Sequence, residues 1–221
     1  MRTDRSDLYL GAIYHLQERG IAVTTSRLAE ELDVSMASVS EMLRKLGKGG
    51  WVNYEPYQPV TLAEAGRRRA AKLVRRHRLW EVFMVEKLGM GWERVYREAC
   101  ALEHATSEVV MEALAEFLGH PVTGAHGYPI PDANGNVPVL SKGLPLIALK
   151  VGQRGQVLQV SARDPELLLY LKQINLVPGR VVEVLTKAPF DGPLTVRAGG
   201  AETHAIARQV AACVNVNLLK E

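Results

Sequence analysis

Residues 24–62 read TTSRLAEELDVSMASVSEMLRKLGKGGWVNYEPYQPVTL. Thr24, Thr25 and Ser26 are N-cap candidates for a short helix, RLAEELDV, that turns Leu28, Ala29 and Leu32 inward. Asp33 to Ser35 is a turn. A second helix follows from Met36 to Leu46, with Val39, Met42, Leu43 and Leu46 toward a core and Ser38, Ser40, Glu41, Arg44 and Lys45 outward. Two short helices around a tight turn, the second presenting small polar and basic residues, form a helix-turn-helix pattern. GGWVNYEPYQPVTL then reads as two short strands around a Pro-containing turn, the wing of a winged helix. Thr61, with Glu64 three residues on, forms a capping box that ends the wing and opens the next helix. A helical subdomain with a hairpin and no DNA partner is the alternative reading of this unit.

Toward the N-terminus, Ser6 to Arg19 reads as a helix with Leu8, Ala12, Ile13 and Leu16 inward, ended by Gly20. MRTDRSDLYL has no apolar signal core, and no run approaches the ~20 apolar residues of a membrane span. The expectation is a soluble, cytoplasmic protein with no membrane partner. The 221 residues are 47% hydrophobic and 23% charged, ordinary globular composition with room for more than one domain. A formal charge of +3 allows nucleic acid as a partner without demanding it. Two cysteines, Cys100 and Cys213, are too few for a disulfide framework.

Toward the C-terminus, a long helix from Leu62 to about Leu88 carries Arg67, Arg68, Arg69, Lys72, Arg75, Arg76 and Arg78. Such a run is either a solvated face or a set of phosphate contacts. Gly89-Met90-Gly91 breaks it, and a central helix runs from Arg94 to Leu118. That helix places Cys100 and His104 four residues apart on one face, with Glu103 beside them. His77 and Glu81 repeat the spacing on the preceding helix. Thiolate, carboxylate and imidazole suit a divalent transition metal, although charged helical residues more often only decorate a solvated face. Val95, Leu102, Val109, Ala113 and Phe117 form an apolar flank in excess of one small core, which predicts a dimer interface.

Gly119 to Gly143 is rich in Gly and Pro and reads as a linker that contains His120 and His126. Beyond it LIALKV, GQVLQVSA, RVVEVLT, LTVRA and AACVNVNLL alternate like strands, interrupted by one helix, DPELLLYLKQINL. The predicted fold is mainly α with a small β domain. It comprises a winged helix-turn-helix over 1–64, a helical metal-binding and dimerisation domain with its linker over 65–143, and a small β-barrel over 144–221.

DLYLGAIYHL, RHRLWE, EACALEH and HGYPIP together resemble the diphtheria toxin repressor family of iron- and manganese-dependent regulators. INLVPGRVVEV is similar to the SH3-like, ferrous-transport-A type domain that ends its longer members, which implies that the barrel over 144–221 is SH3-like. The resemblance spans almost the whole chain. It implies a cytoplasmic, metal-loaded homodimer that binds operator DNA and represses metal-uptake genes, with Mn²⁺ or Fe²⁺ as cofactor. It places a primary metal site at Cys100, Glu103 and His104 with a first-helix residue, and an ancillary site at His77 and Glu81. Asp164 and Glu166 are the third-domain candidates, with Leu167 where an amide is expected. Two positions depart from the pattern. Leu8 stands where the family has a first-helix donor, leaving Asp7 to substitute. Tyr96 stands in place of an ancillary histidine, leaving Glu98 or the third domain to rebuild that site.

DNA readout falls to Ser35, Ala37, Ser38, Ser40 and Glu41, small residues and one acid with no Arg or Asn among them for a bidentate base contact, with Arg44 as a further DNA-binding residue, so shape, methyl contacts and phosphate positioning are expected to dominate. The rival classes are a metal-independent winged-helix regulator that senses an organic ligand, and a metalloenzyme with an open coordination position. The chain shows no nucleophile-base constellation and no phosphate-cradling Gly loop, which argues against an enzyme acting on an organic substrate.

Overall fold

The computed structural model describes residues 5–141, 143–162 and 164–219. The first residues of the stretch read as lacking a signal core, and the last two of the predicted third domain, lie outside the described residues. The chain forms two compact units. One comprises Met1–Trp80, Ala99–Val122 and Ile130–Pro138; the other comprises Glu81–Glu98, Thr123–Pro129 and Val139–Glu221.

In the first unit α1 (Arg5–Glu18), α2 (Thr25–Leu32) and α3 (Met36–Lys48) precede the two-stranded wing, β1 (Val52–Asn53) and β2 (Thr61–Leu62). Thr24 caps α2 by accepting from the Arg27 N–H, and Ser35 caps α3 by accepting from the Ser38 N–H. Each such cap contributes about 1 kcal/mol. Ile13, Leu28, Val39, Leu43 and Leu46 close the core, as the helical spacing predicts, and Leu10, not among the predicted inward positions, joins them. Leu8 is the exception, 48% exposed, because Tyr9 and Tyr14 take the inward positions around it.

Thr61 does not open a helix. It lies in β2 opposite Asn53, and α4 (Glu64–Glu86) begins after the Ala63 N–H has bonded the Trp51 carbonyl. Gly66 is required there, since a Cβ would sit 1.9 Å from the Trp51 oxygen.

The predicted central helix is two helices, α5 (Val95–Ala105) and α6 (Glu108–Phe117). The break has a local cause. The Thr106 hydroxyl donates back to the Leu102 carbonyl at 2.6 Å and accepts from the Trp80 indole at 3.0 Å, while Ser107 caps α6. Side-chain bonding of this kind competes with helix continuation.

In the second unit a six-stranded antiparallel sheet has the order β3-β8-β4-β5-β6-β7. Its strands are β3 (Leu144–Pro145), β4 (Arg154–Val160), β5 (Val181–Lys187), β6 (Leu194–Ala198), β7 (Thr203–Ile206) and β8 (Val214–Leu218), with helices α7 (Pro165–Gln173) and α8 (Arg208–Ala212). The predicted strand LIALKV is instead a 3-10 turn over Leu146–Ala148. Val157, Val182, Val184, Leu194, Val196 and Val216 pack inward with Trp92.

Candidate metal centre and nucleic-acid interface

His77 on α4 and Cys100 and Glu103 on α5 bring one nitrogen, one sulfur and one carboxylate oxygen within 4.8 Å of one another. Among the described residues no other group of three such donors converges in this way. His77 Nδ1 lies 2.8 Å from Glu103 Oε2 and 4.0 Å from Cys100 Sγ. His104 Nε2 stands 3.1 Å from the other Glu103 oxygen. Donors sharing one cation at bond lengths of about 2.1–2.3 Å are about 3–4.5 Å apart, so the set fits a transition metal after a small contraction.

This grouping differs from the predicted pairing. His77 joins Cys100 and Glu103, and Glu81 belongs to the second unit. There the buried Glu81 carboxylate lies 3.5 Å from Nδ1 of His126, whose ring stacks on Trp92 at a centroid distance of 5.1 Å. The His126 carbonyl accepts from the Val160 N–H, and a Cβ on Gly127 would meet the Leu158 oxygen at 1.9 Å, so HGYPIP is seated on β4. His126 Nε2 is buried without a hydrogen-bond partner. Such an orphaned nitrogen calls for an explanation, and a cation is one. Sequence reasoning assigned His126 to a linker. The signal that could have found it was the HGYPIP motif itself.

The remaining candidates are not among these converging donors. Asp7 is half-buried and pairs with Arg69 at 2.5 Å. Glu98 is exposed on the first turn of α5. Asp164 is the N-cap of α7, accepting from the Glu166 N–H at 2.9 Å, and Glu166 is exposed beside it.

The basic run of α4 is occupied within the first unit. Arg67 and Arg68 pair with Glu64, Arg75 with Glu112, Arg76 with Glu108, and Arg78 with Glu18. Arg75, Arg76 and Arg78 clamp α4 to α6 and α1, whereas Arg67 and Arg68 pair within α4 and, with Lys72, stay exposed.

On α3, Ala37, Ser38, Glu41 and Arg44 are exposed. The Ser40 hydroxyl donates to the Met36 carbonyl at 2.9 Å, which leaves its oxygen as an acceptor only. The Ser35 and Ser38 hydroxyls are 2.9 Å apart. Met36, 60% exposed, is an apolar surface residue at the start of the helix that the sequence reading did not single out.

Over 228 aligned residues, 96% of either chain, the sequence is 32% identical to the iron-dependent repressor IdeR of Mycobacterium tuberculosis. The chain belongs to the iron-dependent repressor family, that of the diphtheria toxin repressor. Three family models tile this repressor. They are the iron-dependent repressor N-terminal DNA-binding domain over residues 1–60, its metal-binding and dimerisation domain over 63–132, and the FeoA domain over 144–218. Among solved structures, the repressor is similar to a manganese-dependent transcriptional repressor in complex with manganese. Identity is 37%, the TM-score is 0.89, and coverage is 97% of this chain and 100% of the other. The manganese regulator SloR follows at 30% identity and a TM-score of 0.80, covering 99% and 100%. No helix among the described residues is long and apolar enough to cross a membrane.

Proposed function

We infer that this repressor is a metal-activated, homodimeric DNA-binding protein whose divalent cation, Mn²⁺ or Fe²⁺, is held by His77, Cys100 and Glu103. His104 steadies the second Glu103 oxygen. The convergence of these three donors within 4.8 Å on two helices carries the reading. Glu81 and His126 form a second cation position, supported by the orphaned His126 Nε2. The cation supplies a positive charge that joins α4 to α5. Because α4 is also tied to α1 by Arg78–Glu18 and Arg69–Asp7, tightening at the site acts on the helices that carry α3. Metal and operator then favour one conformer, and each raises the affinity of the other by the same factor.

The exposed stripe of Val109, Ala113 and Phe117 on α6 is the dimer surface of this reading. A two-fold dimer sets its recognition helices about 34 Å apart, or a multiple of it. We assign the three functional parts to 1–64, 65–143 and 144–221, the place of action to the cytoplasm, and the targets to metal-uptake genes. Operator binding measured with chelator and after add-back of single metals tests the reading. Specific affinity is expected only with metal, and equal affinity in both states of a folded protein overturns it.

A further inference from the structure

The net charge of the chain is unevenly placed. Residues 1–143 carry equal numbers of acidic and basic side chains, whereas 144–221 carry nine Lys and Arg against six Asp and Glu. The whole formal excess of +3 therefore belongs to the third domain, and it has a focus there. Arg154 of β4 stands opposite Glu183 of β5, and Glu183 stands opposite Arg197 of β6. Residues directly opposite on antiparallel neighbours project to the same face, so the three form one row across three strands. Glu183 pairs with Arg197 at 3.3 Å. Among the described residues, Arg154 and Arg180, the latter just before β5, have no acidic side chain to pair with, unlike Arg75, Arg76 and Arg78 on α4.

Arg154, Arg180, Glu183 and Arg197 line one cleft of about 370 Å³, together with Gly199 and Gly200 of the turn after β6. A Cβ at Gly200 would meet nothing within 4 Å, so a ligand can come close to the backbone there. The volume lies in the range of small-ligand sites, about 300–1,000 Å³. Three guanidinium groups against one carboxylate leave two positive charges unanswered. A carboxylate ligand would neutralise half of that. A phosphoryl group brings a charge of about −1.5 to −2 at pH 7 and three acceptor oxygens, which suit the fixed donor fork of arginine. A nucleic-acid strand is held by a basic groove that tracks its backbone and by aromatic platforms, whereas this is a single focus with no aromatic residue lining it.

We propose that this cleft of the third domain binds the phosphoryl group of a small phosphorylated or polyphosphate anion, held by Arg154, Arg180 and Arg197. It uses none of the residues assigned to metal or operator, so it stands or falls apart from the functional reading above.

Titration calorimetry and ³¹P NMR on the full chain test it, without added metal because pyrophosphate chelates Mn²⁺. Pyrophosphate is expected to bind once per chain. Arg154→Gln and Arg180→Gln should each weaken it about tenfold, the loss of one charge-assisted hydrogen bond. Arg208→Gln, which removes the same charge from α8 outside the cleft, should bind as the parent does. Glu183→Gln, which frees Arg197, should tighten binding about threefold, a gain that damage to the fold does not produce. ATP distinguishes the source of the phosphate. Affinity no better than that of pyrophosphate assigns a free polyphosphate, and tighter binding that is lost in the same two variants assigns a nucleotide; either supports the site. Absence of saturable pyrophosphate binding, equal weakening in Arg208→Gln, no gain in Glu183→Gln, or capture by the cleft of a random-sequence duplex that pyrophosphate does not displace overturns the proposal.

Discussion

Nδ1 of His77 lies 2.8 Å from Oε2 of Glu103, so a histidine on α4 and a carboxylate on α5 satisfy each other across a nearly dry interface. A cation held here would have both atoms as candidate ligands, together with Cys100 Sγ. His77→Ala is therefore expected to be as damaging as Glu103→Ala. Loss of an outer partner of a metal ligand costs ~10–100-fold in affinity, so loss of the ligand itself should raise the metal needed for operator binding at least about 100-fold. Titration calorimetry and mobility shift with Mn²⁺ measure it. A parent-like dose response in His77→Ala would put the cation elsewhere.

His126 gives a second, separable prediction. Its ring stacks on Trp92, so a cation taken by Glu81 and His126 must disturb the indole. Tryptophan fluorescence should change on Mn²⁺ addition in the parent and in His77→Ala, and that component should disappear in His126→Ala. An unchanged signal in His126→Ala would sink the second position.

The sequence made the winged helix legible because a cap and the apolar spacing agree there: Thr24, Leu28 and Leu43 do what their positions predict, while Ser35, read as a turn residue, caps α3. Thr61 misled because a capping box is a local pattern, whereas its strand pairing with Asn53 is set by the wing. β7 and α8 were missed because THAI and RQVAA are too short to show a period, and Thr106 hid the helix break because side-chain back-bonding leaves no mark in hydropathy. His77 and Glu81 show the deeper limit. A spacing of four residues places two side chains on one helix face, but what each one meets depends on a partner element. His77 meets α5, and Glu81 meets a loop 45 residues further along the chain at His126.

Acid stability follows from Glu18. Burial raises its carboxyl pKa, but the hydrogen bond from His15 and the paired Arg78 guanidinium outweigh that and hold it below the ordinary value of 4.5. A depressed folded pKa means that the stabilisation is complete above the unfolded value and is lost as pH falls through the folded one. Glu18→Gln should flatten the acid limb of the stability curve below about pH 4.5. Arg78→Ala, which leaves Glu18 buried beside a missing charge, should cost about 3 kcal/mol at neutral pH. Denaturant melts across pH 3 to 7 measure both, and an acid limb in Glu18→Gln as steep as the parent's would contradict the account.

The α6 stripe makes the dimer testable without touching metal or DNA contacts. Val109 is 80% exposed and Phe117 64% exposed on a helix whose other face buries Met111, Leu114 and Ala115. Helical spacing puts Val109, Ala113 and Phe117 in one row, an arrangement that water does not reward. Phe117→Asp places a carboxylate in that row on both copies at once. In an isologous contact the same patch meets itself, so two charges lose solvent near each other and the penalty is doubled. The variant should sediment as a monomer while His77, Cys100 and Glu103 still take up Mn²⁺. Its operator affinity should fall by at least about 100-fold, because one recognition helix no longer carries its twin to the second half-site. A dimeric Phe117→Asp protein at micromolar concentration would show that the copies meet through another surface.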